Sequence, residues 1–173
     1  MSSSPVIETD GPVENDTPEK GSDTGEIRVM TSRFGEITVS PDKVIVMTSP
    51  FLGFPESRQF VLRAHGPDSP FMWFQSLDNP GLAFVVVQSG VIDPGYRPVL
   101  APVVKNDLQL EAIPGKQELL IILTIPQGRP QDMTANFLGP VVINTEKRLA
   151  KQVLLDPAKY NACHQVIPAK ATP

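Results

Sequence analysis

Between Leu119 and Tyr160 the chain reads LLIILTIPQGRPQDMTANFLGPVVINTEKRLAKQVLLDPAKY: three apolar runs of strand length, split by a proline/glycine turn and by a basic turn. Residues 119–125 form the strongest run. Ile121, Ile122 and Ile125 favour an extended backbone in a segment too short for a stable helix. Residues 135–144 and 149–155 follow as two further strands, joined by the polar turn 145–148. Three strands in succession with tight connections already point to an antiparallel sheet rather than to alternating strands and helices.

The rest of the body extends the pattern. Residues 26–31 alternate Ile27, Val29 and Thr31 with Arg28 and Met30, and Phe34-Gly35 turns the chain into a second run carrying Ile37 and Val39. Residues 44–48, 60–65, 71–76 and 82–88 read as strands, with turn chemistry at Ser40-Pro41-Asp42, Gly66-Pro67-Asp68 and Asp78-Asn79-Pro80-Gly81. Residues 90–116 are punctuated by prolines, and 103–113 allow one short helix. Closely spaced strands with turns between them predict an all-β, mostly antiparallel fold, a small β-barrel-like domain with at most one short helix. The expected division is a disordered acidic tail at 1–26, a barrel at 27–164 and a frayed end at 165–173.

Charge supports that division. Residues 1–26 hold Glu8, Asp10, Glu14, Asp16, Glu19, Asp23 and Glu26 against Lys20 alone, a net of −6. The whole chain sums to −4, so the remainder carries +2. A leader of this composition has too little apolar surface to offset the entropy of ordering it. The nearly neutral body lacks the basic face of a nucleic-acid binder. No positively charged start followed by an apolar run marks a secretory signal, and no segment has the length of a membrane helix. Cys163 is the only cysteine, which rules out an internal disulfide and fits the cytoplasm.

The residues offer little catalytic chemistry. His65 and His164 are the only histidines. Cys163 and His164 are adjacent, and in a strand neighbouring side chains point to opposite faces, which makes a poor nucleophile–base pair. No cluster has metal-ligand spacing, and no phosphate-binding or nucleophile motif occurs. Neither an enzyme nor a cofactor is expected. Phe71, Trp73 and Gln75 share one face of a strand and Met72, Phe74 and Ser76 the other. Base stacking on such a face needs nearby cations, and residues 66–90 contain none, so core packing on both faces is expected. Lys147, Arg148 and Lys151 form a basic cluster that suits either solvent or an acidic protein patch. Phe51, Leu52 and Phe54 sit in a proline-rich loop and either plug the core or form an exposed contact patch.

Several phrases in order, FGEI (34–37), Gly53-Phe54, SPFMWFQSLDNPGLAFVV (69–86), LTIPQGRPQDMTANFLGPVVINT (123–145) and KQVLL (151–155), resemble the flagellar assembly factor family FliW. The resemblance spans roughly residues 34–164. The chain departs from the family's usual Gly-Leu-Pro at Pro50-Phe51-Leu52. The resemblance implies a small β-barrel without enzymatic activity that works by exchanging protein partners. One implied partner is CsrA, a translational regulator held off its mRNA from a distance. The other is flagellin, which competes for the same protein. The free chain is expected to be a monomer that contacts neither nucleic acid nor membrane. Loop and rim positions on the matched segments are the expected partner contacts: Phe51, Phe54, Pro55, Glu56, Asp78, Asn79, Met133, Thr134 and Asn136. The alternatives are a nucleic-acid-binding barrel and a barrel that holds a small ligand inside.

Overall fold

The structure, a computed structural model, describes residues 25–112 and 115–166. The expected acidic tail lies outside the described residues up to position 24, and so does the expected frayed end from 167 onward.

A hairpin opens the described chain, β1 (Ile27–Thr31) and β2 (Gly35–Val39), closed by a turn in which Gly35 takes a positive φ of 66°. Thr31 steadies that turn, its hydroxyl donating to the Gly35 carbonyl and accepting from the Phe34 amide. Then come β3 (Ile45–Met47), β4 (Gln59–Ala64), β5 (Met72–Ser76), β6 (Ala83–Gln88), β7 (Gln117–Thr124), β8 (Thr134–Asn144), β9 (Leu149–Gln152) and the short β10 (His164–Gln165). β3 to β8 pair with their sequence neighbours, except that β3 lies parallel to β9, which also pairs with β8. That double pairing closes seven strands into a barrel, which removes the open edges of a flat sheet.

The expected all-β barrel is therefore present. Two short helices cross from β6 to β7 rather than at most one: α1 (Ser89–Ile92) and α2 (Pro102–Asp107). α1 is a single turn opening on Ser-Gly, with no amphipathic period long enough to read in the sequence. α2 starts at Pro102, whose fixed φ and missing N–H suit the first helical position.

Alternation sorts the strands into an inside and an outside. Ile45, Met47, Phe60, Phe74, Val86 and Leu120 point inward and fill the barrel, with Phe60 stacked on Phe74 at a centroid distance of 4.3 Å. Outward-facing residues are buried in turn by three coverings. The β1–β2 hairpin lays Ile37 and Val39 over Val61. Tyr96 packs with Val87, Ile121 and Phe137, and α2 packs Val104 with Leu108 against Val142 and Val153.

β8 serves both layers. Leu120 pairs with Val141 but Ile122 with Asn136, so a bulge at Phe137-Leu138-Gly139-Pro140 interrupts the ladder. Three extra residues, an odd number, reverse the alternation. Ala135 and Phe137 thus belong to the outer cluster, while Val141 and Ile143, of the same parity, face the interior. Pro140, which has no N–H to leave unpaired, sits within the bulge, and its carbonyl accepts from Val153.

Candidate protein-interaction face

In an antiparallel meander every second connection emerges at the same end. The connections β3–β4 (48–58), β5–β6 (77–82) and β7–β8 (125–133) therefore share one end of the barrel. The chain leaving β9, which runs parallel to β3, exits there too. All nine sequence-selected contact residues belong to this end, but they play different parts.

Phe51 is a plug, not a rim residue. It is buried, stacked on Phe84 at 4.7 Å and 19°, and within 5.6 Å of Phe60. The aromatic mouth of the barrel offers it more apolar contact than water does, so the loop folds inward. Phe54 stays at the surface, 36% exposed, edge-on to Phe84 at 5.6 Å. Pro55 and Glu56 are exposed beside it.

Asp78 is a clamp: its Oδ2 accepts from the Arg58 and Gln59 amides, each at 2.7 Å, which ties the β5–β6 turn to the entry of β4. Asn79 holds that turn through its side-chain oxygen and the Gly81 amide at 3.2 Å. Met133 is buried in the outer cluster with Tyr96 and Phe137, which corrects its expected place on the rim. Thr134 is half-buried and begins β8, its backbone between Thr124 and Gln165. Asn136 Oδ1 accepts from Leu138 (3.1 Å) and Gly139 (2.9 Å), so it fastens the bulge.

Three residues absent from the selection also face outward at this end. Leu52, Ile125 and the strongly exposed Leu154 (68%) are large apolar side chains. Leu52 lies in the proline-rich loop already read as plug or patch, whereas Ile125 and Leu154 sit within apolar runs and in sequence look like further strand positions. With Phe54 they give the end its apolar character.

Core packing on both faces of β5 is realised only in part: on the outer face Gln75 is buried but Phe71 and Trp73 are half-buried, and that face does have cations. Arg33, from the β1–β2 turn, lies 4.2 Å over the Trp73 ring, Arg63 on the neighbouring β4 lies 4.9 Å over Phe34, and His65 stacks on Trp73 at 6.1 Å. The basic cluster of the β8–β9 turn is divided, since Lys151 is paired with Asp107 at 2.7 Å. Cys163 is exposed, and His164 sits edge-on to Phe137 at 5.0 Å. Tyr96 donates its hydroxyl to the Phe137 carbonyl at 2.8 Å. Burial, with Tyr160 nearby, raises its pKa well above the ordinary tyrosine value. Among the described residues no group of three His, Cys, Asp or Glu is placed to hold a metal ion, and no helix is long and apolar enough to cross a membrane.

The FliW protein family profile matches residues 28–166. The flagellar assembly factor FliW of Syntrophus aciditrophicus is 35% identical over 145 residues, covering 82% of this chain and 88% of that one. Its counterpart in Geotalea uraniireducens is 38% identical over 138 residues, covering 80% and 83%. A crystal structure of the flagellar assembly factor FliW superposes with a TM-score of 0.76 at 32% identity, covering 84% of this chain and all of the other. Fold and sequence both match over most of the chain, and the chain belongs to the FliW family.

Proposed function

We propose that this chain is a cytoplasmic, non-enzymatic flagellar assembly factor that works as a partner switch. In one state it binds the translational regulator CsrA and antagonises its mRNA binding allosterically. In the other it is held by flagellin, so flagellin made faster than it is assembled frees CsrA to repress further synthesis. Family membership supports the assembly role. The observation that carries a protein-binding mode is the barrel end, where Leu52, Phe54, Ile125 and Leu154 are exposed on a frame fixed by the Phe51 plug and the Asp78 clamp. A rigid surface with apolar anchors suits mutually exclusive binding, because it needs no rearrangement to accept either partner. A ligand inside the barrel is disfavoured, since ten buried residues, Phe51 among them, occupy that space.

The test is titration calorimetry of the purified chain against CsrA from the same cell, with and without stoichiometric flagellin. Binding that flagellin abolishes is the expected result. Simultaneous binding of both at full occupancy overturns a shared surface, and binding of neither overturns the switch.

A further inference from the structure

The hairpin and β4 enclose a cleft on the side of the barrel whose charged lining is entirely basic: Lys43, Arg63 and Arg148, with Thr38 and Ser40 contributing hydroxyl groups. Arg148 also lines the adjoining cleft with Lys147 and Ile27, so the basic run continues to the start of β1. The ion pairs among the described residues are Arg129–Asp132 and Lys151–Asp107, and none of these four cations takes part in one. Among the lining residues of the two clefts Asp42 is the acid, engaged by the Ser40 hydroxyl and close enough to Lys43 and Arg148 to offset part of their charge, which leaves the run net basic. Arg148 donates through Nη2 to the Lys43 carbonyl at 2.8 Å, while its buried Nε has no partner. It also holds a left-handed backbone, φ 55°, that glycine would adopt more easily. A cleft like this attracts carboxylates.

This chain supplies them. Residues 1–24 contain Glu8, Asp10, Glu14, Asp16, Glu19 and Asp23 against Lys20 alone. The segment joins the body where the cleft lies, because Ile27 is the Cα partner of Val39, which lines it. Reach is ample: two dozen residues extended span on the order of 80 Å. The segment also precedes the family match, which begins at residue 28.

We propose that the basic cleft is the docking site of the chain's own acidic segment, residues 1–24, which occupies it intramolecularly and screens this face from acidic partners. Tethering gives the segment an effective concentration on the order of millimolar, so weak individual contacts suffice. Because the contacts are charge pairs near the surface, salt releases them. The inference concerns a different face from the partner switch and stands or falls separately from it.

The full-length chain is compared with a full-length variant carrying E14Q, D16N, E19Q and D23N, by amide chemical shifts at low and high salt. Differences at Thr38, Lys43, Arg63 and Arg148 that vanish at high salt and persist on dilution are expected. Lys43→Gln, at an exposed side chain outside the core, should shrink them. Identical spectra for the two chains overturn the proposal. Differences that disappear on dilution would mean that a second copy supplies the acids, which overturns intramolecular docking.

Discussion

Phe51 and Phe84 lie ring against ring, 4.7 Å between centroids and 19° between planes, so a loop residue completes the packing of the barrel mouth. Phe54, three positions on, donates its amide to the Phe51 carbonyl at 2.9 Å yet leaves its ring at the surface. One loop thus separates a stabilising phenylalanine from an exposed one. Phe51→Ala should cost about 3–5 kcal/mol of unfolding free energy, the range for deleting a buried phenylalanine. Phe54→Ser should leave the melting temperature nearly unchanged while weakening partner binding. Denaturant melts and calorimetry on the two variants check the division, and a large loss of stability in Phe54→Ser would place that ring in the core instead.

Asp78 accepts two amide hydrogen bonds from the strand entry at Arg58 and Gln59. Asp78→Ala should destabilise by about 1–2 kcal/mol, since the carboxylate is exposed and water replaces part of what is lost. Hydrogen exchange is the sharper readout. The Arg58 and Gln59 amides should lose protection while those of β7 keep theirs.

Asn136→Ala removes the acceptor shared by the Leu138 and Gly139 amides. The bulge sets which way β8 faces, so the effect should reach past the site. We expect a loss of about 1–3 kcal/mol, measured by chemical denaturation, and altered amide shifts at both Phe137 and Val141. Unchanged shifts at Val141 would show that the bulge holds without its clamp.

Tyr96 gives a pH dependence with a definite sign. Its folded pKa is raised, by burial first and by Tyr160 second, from an ordinary value of 10.0. The neutral hydroxyl is therefore favoured by the fold, and its contribution is complete below pH 10 and lost as pH rises above it. Tyr96→Phe should reduce the slope of stability against pH in that alkaline range. It should also cost about 1–2 kcal/mol at neutral pH, because the buried Phe137 carbonyl loses its donor. Equal alkaline slopes for the two proteins would count against this assignment.

The strands were legible because each declares itself locally. Residues 44–48 are a short apolar run, and Asp78-Asn79-Pro80-Gly81 announces a turn. What escaped depends on neighbours distant in sequence. Phe51 reads equally as plug or patch until Phe60, Phe74 and Phe84 come together around it. Trp73 reads as lacking cations until the β1–β2 hairpin brings Arg33 over it. β10 is two residues paired to β8, too short to carry a period. The site residues divided for the same reason: exposure at Phe54 and burial at Met133 are decided by what packs on them, not by their own side chains.

The parallel pairing of β3 with β9, Val46 with Leu149 and Met47 with Ala150, joins positions about a hundred residues apart, and every other strand pairing of the barrel is closer in sequence. β3 consequently keeps one flank unpaired until β9 has been synthesised and returned, with the Val46 and Thr48 amides waiting for the carbonyls of Arg148 and Ala150. During that interval the nascent chain presents a free strand edge to every other chain nearby. Sequence separation makes ring closure the pairing with the largest loop-closure cost in the barrel, and the turn carrying Lys147 and Arg148 is what delivers β9 to it.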